Sequence, residues 1–157
     1  MPAGSSEFPQ QNRRDILPTP RLRLLLVDDE STVRGVIAEY LQEDGHYVET
    51  AGDGLHGLER FRAGTWDLVI TDRVMPKLDG DGLANAIKRI DPKVPIILVT
   101  AFADRPPDVR GPGSPFDMIV RKPFTHETLR AAVAAFAMDR TVNRAQEPAA
   151  TKKIGML

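Results

Sequence analysis

Four short apolar runs, each stopped at its carboxyl end by polar side chains, constrain this sequence more than any other feature. Leu24-Leu25-Leu26-Val27 stops at Asp28-Asp29, and Leu68-Val69-Ile70-Thr71 stops at Asp72. Ile96 to Thr100 ends on its own threonine, and Met118 to Val120 runs into Arg121-Lys122-Pro123. Runs of this length with no polar alternation are expected for strands covered on both faces, the condition of a parallel sheet sandwiched by helices.

The intervening stretches supply those helices. Ser31 reads as an N-cap for a helix over 31–44 on Val33, Val36, Ile37, Tyr40 and Leu41, with Gly45 as its stop. Tyr47 to Ala51 predicts a short second strand, and Leu55, Leu58 and Phe61 a second helix ending near Gly64. A third strand spans Trp66 to Asp72, a third helix lies on Leu83, Ala86, Ile87 and Ile90, and Thr125 caps a last helix on Leu129, Val133 and Phe136. Between Ala101 and Asp117 the helical period is missing, because Pro106, Pro107, Gly111, Pro112, Gly113 and Pro115 interrupt it. The alternation predicts an α/β fold with right-handed crossovers. One domain is expected over 21–139, flanked by a flexible Pro/Ser/Gln-rich arm at 1–20 and a basic flexible tail at 140–157.

Composition narrows the function classes. With 21 basic and 22 acidic residues the net charge is -1, which gives no electrostatic case for a nucleic-acid or membrane partner. The absence of cysteine removes disulfides and thiolate metal sites. No apolar stretch reaches the ~20 residues that cross a bilayer, so a cytoplasmic location is expected. His46, His56 and His126 fall on expected surface or cap positions and build neither a zinc site nor a phosphohistidine relay.

Ligands of parallel sheets bind beyond the carboxyl ends of the strands, where Asp28, Asp29, Asp72, Thr100 and Lys122 all fall. Each alone is open to an ordinary reading: acids suit helix starts, a strand-end hydroxyl is commonly satisfied locally, and a lysine is commonly solvated. Together they describe a site. Three carboxylates at one lip repel unless their pKa values rise or a cation settles among them, and Mg2+ suits such an oxygen set. A carboxylate beside that ion is placed to attack a phosphoryl group, with Lys122 neutralising the transferring oxygens and Thr100 bonding to them. Two rivals fit less well. A nucleotide-binding turn needs glycines where Asp28-Asp29-Glu30 stands. A haloacid-dehalogenase-like phosphatase is loosely mimicked by Asp28-x-Glu30-x-Thr32, but Pro-Phe-Thr-His follows Lys122 in place of an acid pair.

The chain from about Arg21 to Asp139 resembles the receiver domain of two-component response regulators, the CheY-like family. The resemblance rests on Val27-Asp28-Asp29-Glu30, Asp72-x-x-Met75-Pro76 with Asp79-Gly80, Val99-Thr100-Ala101 and Lys122-Pro123-Phe124. It implies a flavodoxin-like doubly wound sheet of five parallel strands in the order 2-1-3-4-5. It also implies Asp72 as phosphoacceptor, Asp29 as a direct Mg2+ ligand, Asp28 as a ligand through water, and the Val74 backbone carbonyl as a further ligand. Thr100, Lys122 and Ile119 occupy phosphoryl-stabilising and switch positions, Ile119 standing where the family commonly has an aromatic ring. An atypical Pro/Gly-rich loop is expected in place of most of the family's fourth helix. In the family the positions that Val74 and Phe102 occupy flank the approach of water to the phosphoryl group, and as neither side chain can orient a water, the resemblance implies slow self-dephosphorylation. The implied function is a phosphorylation-controlled switch, not a turnover enzyme, that accepts phosphate from a histidine kinase or histidine phosphotransfer protein. Output by protein contact from a monomer or weak homodimer is expected, or else the chain is a receiver excised from a hybrid histidine kinase.

Overall fold

The structure, a computed structural model, describes residues 20–101 and 112–146. Five strands form one parallel sheet: β1 (Arg23–Val27), β2 (Tyr47–Ala51), β3 (Leu68–Thr71), β4 (Ile96–Thr100) and β5 (Met118–Arg121), in the order β2-β1-β3-β4-β5. The helices are α1 (Ser31–Glu43), α2 (Gly54–Ala63), α3 (Gly80–Ile90) and α4 (His126–Gln146). This is the expected doubly wound, flavodoxin-like architecture. The Pro/Gly-rich loop expected between β4 and β5 lies largely at 102–111, outside the described residues.

Because successive strand residues point to opposite faces, each apolar run feeds two cores. Leu24, Leu26, Ile70, Ile97 and Val99 pack with Ile37 and Leu41 of α1 and with Leu129 and Val133 of α4. Leu25, Val27, Val69, Ile96 and Leu98 pack with Phe61 of α2 and with Leu83 and Ile87 of α3. The two covered faces explain why these runs carry no polar alternation.

Three local expectations are corrected. Glu30 is the N-cap of α1, with no side-chain cap bond, and Ser31 is the first helical residue; the Asp28 carboxylate takes the turn's amide instead, accepting from Glu30 N at 2.9 Å. His46, expected at the surface, is only 6% exposed. α4 runs to Gln146, past Asp139 where the domain was expected to end, because 139–146 contains neither proline nor glycine. Among the described residues no helix is long and apolar enough to cross a membrane.

Candidate phosphoacceptor and metal site

Hydrogen bonding between strands continues one residue past each strand end, and this carries the site residues to one edge. Asp28 N donates to Ala51 O at 3.2 Å, Asp72 N to Val27 O at 2.9 Å, and Lys122 N to Thr100 O at 2.9 Å. Asp28, Asp72, Lys122 and Thr100 therefore have backbones fixed by the sheet itself, which holds a constellation more tightly than free loops do.

Carboxylate oxygens of Asp28, Asp29 and Asp72 come within 4.8 Å of one another. Asp28 is 1% exposed and fully engaged: Oδ1 accepts from Glu30 N, Oδ2 faces Lys122 Nζ at 3.2 Å, and its carbonyl accepts from Arg34 Nη1 at 2.7 Å. Asp72 is half-buried; Oδ1 accepts from Arg73 N at 2.8 Å, and Oδ2 lies 3.7 Å from Lys122 Nζ. Asp29 is exposed and has no hydrogen-bond or ion-pair partner among the described residues. Burial pushes the Asp72 carboxyl above the ordinary carboxylate range. The Arg73 amide and the Lys122 ammonium pull it down, while Asp28 and Asp29 push it further up.

Among the described residues Lys122 is the one lysine ion-paired within this group of three acids, which leaves negative charge in excess, and the donor set is all oxygen, which fits a hard divalent cation of the Mg2+ type. Asp29 has both oxygens available to such an ion. Asp28, whose oxygens are already taken by an amide and an ammonium, suits contact through water.

The other expected residues lie at different distances from this cluster. Thr100 is buried at the end of β4 and its carbonyl holds Lys122 in place. Val74, two residues beyond Asp72, is 59% exposed. Ile119 pairs in register with Leu98 and packs against the core cluster that faces α2 and α3. Phe102 lies outside the described residues.

Sequence reasoning missed two arginines that shape the site. Arg34 bonds the Asp28 carbonyl from α1, and Arg73 bonds Asp81 Oδ2 through Nε at 3.0 Å. A charged residue on a helix or in a loop gives no periodic signal, so neither stood out. Gly80, of the Asp79-Gly80 pair, is required by close approach: a Cβ there would run into the Asp72 carbonyl oxygen and the Arg73 Cα. The start of α3 is thereby pressed against the backbone of Asp72 and Arg73.

Comparison with known proteins bears directly on this geometry. The response regulator receiver domain family model matches residues 24–134. The probable transcriptional regulator ycf27 of Guillardia theta is 39% identical over 113 residues, covering 72% of this chain and 44% of that protein. The transcriptional regulatory protein RprY of Bacteroides fragilis is 33% identical over 115 residues, covering 73% and 49%. The structure of response regulator protein TrrA from Thermotoga maritima, in complex with Mg2+ and BeF, is similar with a TM-score of 0.66 and 35% identity, covering 73% of this chain and 98% of that one. The chain spans about half the length of the curated relatives it matches. These relatives correct one expectation. The near-zero charge was read as excluding nucleic acid, yet proteins sharing this sequence pattern are named as regulators of transcription, so the charge of this chain alone does not license the exclusion. The family model, the sheet order and the acidic lip agree: the chain belongs to the response regulator receiver family of two-component signalling.

Proposed function

We propose that Asp72 accepts a phosphoryl group from a histidine kinase or histidine phosphotransfer protein, and that this modification switches the domain. The observation that carries the reading is the meeting of three carboxylates within 4.8 Å beside one lysine ammonium, at 3.2 and 3.7 Å from two of them. An Asp72 carboxylate oxygen attacks the phosphorus of phosphohistidine. The new P–O bond forms as the P–N bond breaks, and the imidazole nitrogen leaves with its electron pair and takes up a proton. Asp29, Asp72 and the Val74 carbonyl would hold Mg2+ directly and Asp28 through water. Bound Mg2+ supplies charge neutralisation for the phosphoryl oxygens. Lys122 adds a fixed positive charge on the same side, and the Thr100 hydroxyl is the donor for a phosphoryl oxygen. The acyl phosphate is spent by slow hydrolysis, so the chain is a switch and not a turnover enzyme; neither Val74 nor Phe102 carries a polar side-chain group that could orient a water. For the output we infer control of transcription, on the strength of the relatives named for that role.

The test is a small phosphodonor followed by intact-mass measurement on the wild type, Asp72→Asn and Asp29→Ala, with and without Mg2+. One added phosphoryl group is expected on the wild type with Mg2+, none on Asp72→Asn, and little on Asp29→Ala. Phosphoryl mass retained by Asp72→Asn sinks the assignment.

A further inference from the structure

Arg73 is tied to its surroundings through three of its groups. Its amide donates to Asp72 Oδ1 at 2.8 Å, its carbonyl accepts from Gly80 N at 2.7 Å, and its guanidinium Nε donates to Asp81 Oδ2 at 3.0 Å. One residue thus joins the phosphoacceptor, the first residue of α3 and the first turn of that helix. Val74 follows it immediately, and at 59% exposed it has little packing of its own to fix its peptide. On the far side Met75 is buried in the core beside α3, and further along the loop Lys77 Nζ lies 3.6 Å from Asp53 Oδ2. Val74 therefore stands between a buried Met75 and an Arg73 tied to Asp72, Gly80 and Asp81.

We propose that the Arg73–Asp81 pair is a latch that sets the Val74 carbonyl at the metal site, making Arg73 a positioning residue for Mg2+. The inference rests on the reading of the acidic lip as a Mg2+ site. It differs sharply from a simple effect of charge. A guanidinium near a divalent cation repels it and an aspartate attracts it, so through the field alone Arg73→Gln tightens Mg2+ binding and Asp81→Asn weakens it. A latch makes both substitutions weaken binding, because either one releases the same loop.

The experiment is titration calorimetry of Mg2+ into the metal-free full chain, for the wild type, Arg73→Gln, Asp81→Asn, the double variant and Arg73→Lys. For a pair this exposed, each single neutral variant is expected to bind Mg2+ about three- to fivefold more weakly. The double variant should be no weaker than either single one, since the sites share one interaction. Arg73→Lys, which keeps an ion pair with Asp81, should stay within about twofold of wild type, and this holds the proposal to account even if a neutral variant folds poorly. Tighter or unchanged binding by Arg73→Gln, or fully additive losses in the double variant, overturns the latch while leaving the metal site standing. Failure of the wild type to bind Mg2+ overturns the site reading and the latch with it.

Discussion

His46 sits where an ordinary reading of its neighbours puts a solvent-facing side chain, yet its ring Nδ1 accepts from the Leu22 amide at 3.1 Å at the start of the sheet. An accepting Nδ1 carries no proton, so the fold requires the neutral ring. Burial lowers the His46 pKa below the ordinary value of 6.5, against an upward pull from the Asp44 carboxylate. With the folded pKa depressed, the unfolded chain binds the proton first. The contribution to stability is then complete above 6.5 and is lost as pH falls from there toward the folded pKa. His46→Asn, whose side-chain oxygen can accept the same amide, is expected to flatten the melting temperature between pH 7 and pH 5.5, where the wild type loses stability. Parallel profiles for the two proteins would show that His46 is not what titrates. The carboxylates behave differently. Asp28, Asp29 and Asp72 were legible because each interrupts or ends an apolar run, whereas His46 and Arg34 act on backbone elsewhere in the chain and Arg73 on the Asp81 carboxylate, contacts that no local pattern announces.

The burial of His46 belongs to how α1 ends. Gly45, at φ 92°, turns the chain so that its amide returns to Gln42 O at 2.9 Å and the His46 amide to Leu41 O at 3.1 Å, a Schellman closure. The glycine stop was readable; the inward turn of the next residue was not. A second device recurs at two strands. Trp66-Asp67-Leu68-Val69-Ile70 opens β3 and Phe116-Asp117-Met118-Ile119-Val120 opens β5, each an aromatic, an aspartate and three aliphatics. Both aromatics are buried in the core facing α2 and α3. Both aspartates reach sideways to the first amides of the neighbouring strand: Asp67 Oδ2 accepts from Arg23 N at 2.8 Å, and Asp117 Oδ2 from Ile96 N at 2.9 Å. Asp117 also takes Lys88 Nζ at 2.9 Å. The two differ in burial, Asp67 being buried and Asp117 exposed, so water can replace the lost acceptor more readily at Asp117. Asp67→Ala should therefore cost about 1–3 kcal/mol and Asp117→Ala about 1 kcal/mol or less, read from urea unfolding midpoints at constant slope. The reverse order of the two losses would refute the role of burial.

At the scale of the whole molecule, the sheet and its two helical layers were legible because burial on both faces leaves runs such as Leu24 to Val27 with no polar alternation. The output was not, since the total charge of 157 residues carries no record of what a receiver controls. The global fold should nonetheless report the state of the site, because the acidic lip lies on backbone that belongs to the sheet ladders. Three carboxylates with Lys122 as their one close ammonium among the described residues oppose folding when no divalent ion is present. An ion that binds only the folded chain stabilises it by about 2.7 kcal/mol at one hundred times its Kd. Asp29 is the acid to remove: it is exposed and has no hydrogen-bond or ion-pair partner among the described residues, so its loss breaks no internal contact. Asp29→Ala is expected to melt above the wild type in chelator. On adding Mg2+ the wild type should gain on the order of 10 °C, and the variant most of that gain less. If the two proteins melt together in chelator and rise together with Mg2+, neither the repulsion nor the ion resides at this lip.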